Sequence, residues 1–531
     1  MLLTEIKNLS LQKATELLVL FEYEEDKASI KTFITDSSNL KEINRILNSN
    51  KCSNKFIKLP YQVLCQKILD KYVIKNFDHL STYNLDKFNS SKINLLFSQK
   101  FFLLLSVCII VCLIFLNHAF TITYLFISLN ILYLAELSFK VILFLLGFWH
   151  NIFLKKRIEP HLIEENELPI YTILIPLYKE ANMIERINET LFKLDYPQEK
   201  LDIKVILESC DNETILSAKE KLCFPHHLII IPPYGPKTKP KALNLALLFA
   251  KGKLVTIYDA EDEPESLQLK QAVVLFKNNT SNLACVQAKL NFRNRKYNLL
   301  TKLFALEYAI WFEYVLVGLS LLKMPIPLGG NSNHFRLDNL KASGAWDPYN
   351  VTEDADLGIR LSKYNYETQL FDSFTYEEGT FKIENWLGQR SRWIKGFYQT
   401  YFVHSRKPIQ AIKKLGLKKF IGFQFFIGLQ SSSFLISPII SLSWIGLNFF
   451  YVQELTDVAK TLLIFNISLY VFNSILFSVI VSLQKKWSDN LFTIFLYPFY
   501  FILHSIASFK AFFEFLFKPH YWFKTPHGIK D

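Results

Sequence analysis

The sequence predicts an α/β protein set between groups of membrane-crossing helices. Two observations carry this. Across residues 165–410, short apolar segments (Tyr171–Ile175, Ile203–Leu207, Leu228–Ile231, Leu254–Tyr258) alternate with helical stretches such as Met183–Leu194 and Lys241–Ala250. Runs almost free of charge gather at roughly 101–149 and 420–517. Strands separated by helices of that length build βαβ units and a mainly parallel sheet covered on both faces, with ligands at the carboxyl ends of the strands.

Taken in order, residues 1–97 are polar and mixed in charge, with helical periodicity in Leu11, Leu17, Leu18 and Leu20 and again over Tyr61–Tyr72. They predict a small, mostly helical cytoplasmic domain. The first 20 residues lack a basic stretch followed by an apolar one, so no cleaved signal peptide is expected. Residues 98–150 read as a transmembrane hairpin: Phe101–Leu116 is apolar, Asn117 and His118 interrupt it, and Phe120–Phe148 resumes. About 20 apolar residues cross a bilayer core, and the basic cluster Lys155, Lys156, Arg157 places both ends in the cytoplasm of an inner-membrane, multi-pass protein.

Residues 151–417 hold the α/β domain and 418–517 the C-terminal membrane or interfacial helices, with apolar stretches near 420–453, 460–483 and 490–517. The first is too long for one untilted span. It reads either as an interfacial helix plus a span or as a tight hairpin around Ser431, Ser432 and Ser433. A basic tail, 518–531, closes the chain.

Composition narrows the partners. Sixty Lys and Arg against 48 Asp and Glu give +12, which suits nucleic acid, an anionic membrane surface or a phosphorylated substrate. No nucleic-acid motif is present, and Lys413, Lys414, Lys418 and Lys419 sit beside an apolar run. Membrane lipids are therefore the expected partner of this charge. Seven cysteines without a C-x-x-C pair argue for a reducing compartment.

Three stretches carry chemistry. In Asp259-Ala-Glu261-Asp262-Glu-Pro264 an apolar strand ends in acids, which could converge on Mg²⁺ or Mn²⁺ or form a solvated turn. In Thr352-Glu353-Asp354-Ala-Asp356 a carboxylate could serve as a general base or only as a helix cap. In Gln389-Arg-Ser-Arg392-Trp393 an amide, a guanidinium able to grip a diphosphate and an indole able to pack on a sugar ring lie close on one helix. The same residues would also suit a basic helix lying on a membrane.

Together and in this order, over roughly Pro169–Thr400, these pieces resemble the membrane-bound family-2 glycosyltransferases, the group of cellulose, hyaluronan and chitin synthases, with their D-x-D, T-E-D and Q-x-x-R-W motifs. The resemblance implies a GT-A fold, an inverting transfer from a nucleotide-diphosphate sugar, and these roles. Asp354 is the base and Glu353 shapes its site. Asp259 and Glu261 hold a divalent cation, Mg²⁺ or Mn²⁺, with Asp259 also facing the donor. Gln389, Arg392 and Trp393 close over the diphosphate and the acceptor. Pro176, Tyr178 and Glu180 match the first strand and loop, which hold base and ribose.

The sequence departs from the pattern twice. The second D-x-D acid is Glu261, which leaves either Glu261 or Asp262 for the metal. Cys210-Asp211 stands where paired aspartates are usual, with Asp211 still able to take the uracil N–H. Lys239 and Lys241 match the donor-side segment, and Asn333 and His334 fall in a stretch like the acceptor-side loop. Trp522, Lys524, Thr525 and His527 resemble a gating loop. The reading implied is a polysaccharide-forming transferase using a UDP-sugar, with export partner proteins. A single-addition enzyme acting on a lipid-linked acceptor and a non-catalytic export scaffold are the alternatives.

Overall fold

A computed structural model of the protein describes residues 14, 19–24, 29–35, 38–43, 53–82, 85–154, 163–450 and 457–525. Leu11, Leu17, Leu18, the cluster Lys155, Lys156, Arg157, and His527 lie outside the described residues.

In chain order the strands are β1 (Val19–Glu24), β2 (Ser29–Ile34), β3 (Ser53–Lys58), β4 (Tyr171–Leu177), β5 (Leu201–Glu208), β6 (His227–Ile231), β7 (Leu254–Ile257), β8 (Glu263–Pro264), β9 (Leu283–Phe292), β10 (Asn333–Arg336) and β11 (Glu367–Glu377). The longer helices are α1 (Tyr61–Ser81), α2 (Phe97–Leu116), α3 (His118–Trp149), α4 (Ile184–Phe192), α5 (Asn212–Lys221), α6 (Lys239–Leu247), α7 (Gln268–Asn278), α8 (Leu299–Ile310), α9 (Glu353–Lys363), α10 (Ile383–His404), α11 (Pro408–Phe423), α12 (Gln430–Phe450), α13 (Asp457–Gln484) and α14 (Leu491–Phe517). The chain divides into two compact units. The first comprises residues 1–85, 165–260 and 336–348, and the second comprises 86–164, 261–335 and 349–531.

In the first unit β4 pairs in parallel with β5 on one side and β7 on the other, and β6 extends the set beyond β5. Strand β4 is buried along almost its whole length because helices cover both faces, so it reads as an apolar run without alternation. The N-terminal segment packs into this unit. Besides helix α1 it carries a sheet that the helical reading did not foresee: β1 antiparallel to β2, and β2 parallel to β3. Each strand is only six residues long, too short for alternation to stand out in the sequence. Gln66 of α1 bonds both backbone groups of Ile230, its Nε2 donating at 3.0 Å and its Oε1 accepting at 3.1 Å. The side chain thus imitates a neighbouring strand at β6 and blunts that edge.

In the second unit β9 is the centre of a mixed set, antiparallel to β10 and parallel to β11, which in turn pairs antiparallel with the two residues of β8. All ten residues of β9 are buried.

Among the described residues six helices are long and apolar enough to cross a membrane, all in the second unit. Two are the expected hairpin, at Phe97–Leu116 and Phe120–Leu154. Three follow the α/β domain, at Pro408–Ile440, Asp457–Gln484 and Ser488–Phe517. Helix runs continuously through Ser431–Ser433, where each hydroxyl bonds a carbonyl three or four residues back, so the tight hairpin considered there does not form. The sixth, Leu299–Leu321, lies inside what the sequence reading took as the soluble centre, and it is mostly buried.

Two glycines join this helix to α3. A Cβ on Gly147 would stand 2.7 Å from the Tyr314 Cα, and one on Gly318 would stand 2.8 Å from the Leu143 Cα. Both distances are well inside ordinary contact, so the two backbones touch at two points, as small residues allow between packed membrane helices.

Candidate active site

The first unit presents the donor-side residues. Strand β4 runs into a loop at Tyr178, where Lys179 adopts a positive φ of 56°. Asp211 anchors that loop. It caps α5 by accepting from Thr214 N, and it also accepts from Lys179 N. The nearby Glu180 N donates to Thr214 Oγ1 at 3.2 Å. Asp211, expected to read a base, therefore first holds the β4 loop against α5; each oxygen keeps a second lone pair for a ligand. Pro176, Tyr178 and Glu180 are half-buried around this turn.

Strand β7 ends at Tyr258, and Asp259 follows. Lys239, at the start of α6, places its Nζ 2.6 Å from Asp259 Oδ1 and 2.8 Å from Oδ2. Lys241 does not share this position. Its side chain is fully buried and paired at 2.7 Å with Glu208, whose carboxyl is pushed up by burial. Two residues along a helix point to nearly opposite sides, so only one of the two lysines can face Asp259. The expectation that both meet the donor is corrected accordingly.

The second unit assembles the T-E-D residues. The loop Asn350–Thr352 lies on α10, held by several contacts. Val351 N donates to Gln399 Oε1 (2.9 Å), Arg392 Nη1 donates to Val351 O (3.2 Å), and Asn350 Nδ2 donates to Thr400 Oγ1 (3.0 Å). Gly396 lets the two come together, since a Cβ there would stand 2.6 Å from Thr352 Cγ2. Helix α9 starts at Glu353 and points its amide end at the two acids, a placement its dipole favours. Asp354 is nearly buried, and its Oδ2 lies 3.9 Å from where a Cβ on the exposed Gly330 would be. Glu353 is buried beside it.

Asp356 is taken up by structure. It accepts from Arg360 (2.7 Å) and lies 2.9 Å from His404 Nε2. Burial raises its carboxyl, but Arg360 and then His404 outweigh this and hold it down to about 2. Of the three acids in the first turn of α9, this one ties α9 to the end of α10.

The acceptor-side expectation changes. Asn333 and His334 are fully buried in β10. Asn333 Nδ2 donates to Gly329 O, and His334 Nε2 lies 3.2 Å from Gln268 Oε1, with burial pushing its pKa down to about 3. They support the loop from inside, and the exposed part is Gly330. Asp262 is buried and accepts from Asn331 at 2.6 Å, while the Glu261 carbonyl accepts from Arg293.

On α10, Gln389 is half-buried and its Oε1, itself buried, has no hydrogen-bond partner among the described residues. Trp393 is partly exposed, with the Arg390 guanidinium carbon 4.7 Å from its ring and Phe304 and Tyr308 behind it. Arg392 lies 4.7 Å from the ring of Trp522, so the tail reaches the Q-x-x-R-W helix, where Thr525 is also buried and Lys524 is exposed. The sequence reading missed Gln399, Gly396 and the Arg390–Glu307 pair (2.7 Å). Gln399 was findable in principle, because it continues the spacing of 392 and 395 on one helical face.

The residues fit a cation of the kind the resemblance implies. Among the described residues no group of three or more His, Cys, Asp and Glu side chains gathers to hold a metal. Mg²⁺-type sites commonly use one or two carboxylates and complete the shell with substrate phosphates and water. Asp259 is partly exposed and could give one such carboxylate once the Lys239 ammonium, 2.6 and 2.8 Å from its two oxygens, gives way.

The family described as Glycosyl transferase family group 2 matches residues 254–507, just under half of the chain. A probable glycosyltransferase of Bacillus subtilis, YdaM, is 26% identical over 380 residues, spanning 70% of this chain and 89% of that protein. A beta-monoglucosyldiacylglycerol synthase of Trichormus variabilis is 27% identical over 243 residues, 45% of this chain and 51% of the synthase. The alignment thus spans about half the length of that relative. Among solved structures, a mannosyltransferase from Pyrobaculum calidifontis in complex with GDP-Man and Mn²⁺ covers 72% of this chain and 99% of its own, with 18% identity and a TM-score of 0.47. The chain is an enzyme of the glycosyltransferase class, with an α/β fold of the GT-A type. Over residues 254–507 it is similar to the family-2 glycosyltransferases.

Proposed function

We propose that the protein transfers a sugar, with inversion, from a UDP-sugar to a glycan acceptor in the synthesis of a cell-surface polysaccharide, working at the cytoplasmic face of the inner membrane. The observation that carries the reading is Asp354, a carboxylate at the amide end of α9 beside the exposed Gly330, on a loop clamped to the Q-x-x-R-W helix.

In the mechanism, Pro176, Tyr178, Glu180 and Asp211 take the nucleoside. Lys239 offsets phosphate charge, and Gln389 and Arg392 hold the diphosphate. Asp354 accepts the proton of the attacking hydroxyl, and Glu353 keeps the site polar around it. Trp393 packs against the acceptor sugar. Asp259 and Glu261 are the residues that would hold a divalent cation, and such an ion neutralises charge developing on the departing diphosphate. Trp522, Lys524 and Thr525 cap the bound donor.

A second reading, a single addition to a lipid acceptor, is favoured by the membrane helices and by the name of the 27%-identical synthase relative. A donor panel assayed on membranes carrying the protein, followed by product sizing, tests both. Chains of repeated sugar support polymer synthesis, and single additions only would exclude it. Unchanged transfer by Asp354→Asn would remove the catalytic assignment altogether.

A further inference from the structure

The reading of Asp354 as base requires that the loop before it stay in one place. That loop rests on α10, and the same helix holds the tail. Gly388, Arg392, Lys395 and Gln399 follow one another at spacings of four, three and four, so they form a single stripe. Phe523 fills the space over Gly388, where a Cβ would stand 2.6 Å from its ring. Lys395 Nζ donates to Tyr521 O at 2.7 Å and pairs with Glu514 at 2.9 Å.

Gln399 is fully buried, and its amide is divided between two partners. The oxygen accepts from Val351 N (2.9 Å), while the nitrogen donates to Pro519 O (3.0 Å) and, at the limit of 3.5 Å, to Tyr349 O. Arg392 repeats the arrangement, donating to Val351 O on one side and lying under Trp522 on the other. His520 adds a direct link, with its Nδ1 3.1 Å from Tyr349 O.

We propose that Gln399 is a positioning residue that ties the tail, residues 518–525, to the loop carrying the base. This deepens the function proposed above and rests on it for its catalytic meaning. The physical reason is that each end of a buried amide left unmatched is unfavourable, so the amide sits well only when loop and tail are both docked. Each segment therefore favours the ordered form of the other, and the coupling acts equally in both directions.

The test uses the full-length protein in detergent or lipid discs. Amide hydrogen exchange is read on peptides covering 349–354 and 518–525, and transfer kinetics are measured in parallel. Gln399→Met removes both ends of the amide. Exchange should quicken about tenfold in both peptides, and kcat should fall about tenfold while the donor KM moves less than about threefold, the scale of one lost buried hydrogen bond.

Gln399→Glu keeps an acceptor for Val351 N and presents no donor to Pro519 O. The tail should exchange fast, while 349–354 should exchange faster than in wild type but slower than in Gln399→Met, with kcat between the two. A merely structural residue would not divide the two effects in this way. Wild-type protection in both peptides of Gln399→Met, or identical behaviour of the Met and Glu variants, would overturn the proposal. Should Gln399→Met not fold, Trp522→Ala loosens the tail from the other side, and undisturbed exchange at 349–354 in that variant overturns it equally. Exchange is read without any sugar transfer, so a failure of the Asp354 assignment would show separately, as activity retained by Asp354→Asn.

Discussion

Gly396→Ala offers a sharp test of how Asp354, the proposed base, is held. In a helix interior alanine is ordinarily better than glycine by about 1 kcal/mol, so propensity alone predicts a slightly more stable protein. The structure predicts otherwise. A Cβ at this position would stand 2.6 Å from Thr352 Cγ2 and 2.7 Å from Thr352 Cβ. Thr352 Oγ1 would stand closer still, so the position is at least about 0.8 Å short of ordinary contact, and overpacking of this kind costs roughly 1–3 kcal/mol.

The two terms nearly cancel in stability, leaving a net loss of about 0–2 kcal/mol. They do not cancel in catalysis, because the loop must lift away from α10 and carries Asp354 with it. A displacement approaching ~1 Å at a reacting group can lower the rate about 10²-fold. The assay is kcat for sugar transfer beside a thermal melt: the melting temperature should drop by a few degrees at most while kcat falls by about two orders of magnitude. Adding Thr352→Ala, which removes Cγ2 and Oγ1 but leaves Cβ, should recover part of the rate. Wild-type kcat in Gly396→Ala would show that the loop is not set by this contact.

Other expectations follow from the same geometry. Asp354→Asn should lower transfer by about 10²–10⁴-fold with little change in melting temperature, measured as initial rates on membranes. Lys239→Gln should raise the donor KM while costing less than about 1 kcal/mol of stability, since the ion pair with Asp259 is partly exposed. EDTA should abolish transfer and added Mn²⁺ or Mg²⁺ should restore it; full activity in EDTA would exclude a metal role for Asp259 and Glu261.

Stability should also fall on acidification. Burial lowers His334 to about 3 and His404 to about 4 from 6.5, so both fold neutral. The unfolded chain binds these protons first. The stabilisation is therefore complete above about pH 6.5 and is lost as pH drops through the folded values. For His334 the span corresponds to roughly 5 kcal/mol. Melting curves from pH 7 to pH 4 check this, and His334→Gln should flatten them.

The parallel half of the fold was legible because β4, β5, β6 and β7 are apolar runs broken by helices, a pattern set by burial on both faces. The small N-terminal sheet was not, because its strands are short and partly hidden among polar residues. Lys241, Asn333 and His334 were read as ligand-facing because a linear sequence does not distinguish a polar group in solvent from one matched inside. Their partners Glu208, Gly329 and Gln268 are set by the fold. Asp356 shows the opposite case: its bond to Arg360, four residues on, is a local helical pairing that spacing alone would reveal. Gln399 escaped because its partners, Val351 and Pro519, are backbone groups, which leave no mark in the residue types.

Where α3 meets the helix that follows β9, main chain rests on main chain at Gly147 and Gly318. Around these points Phe144 stacks on Tyr314 with ring centroids 4.8 Å apart, so sliding would have to break close backbone contact and aromatic packing together. The half of the enzyme carrying Asp354 is thereby fastened to the bilayer anchor at a set height. Under the function proposed above an acceptor would reach Asp354 at that one depth, so crowding the seam with Gly318→Ala should alter which acceptors are used.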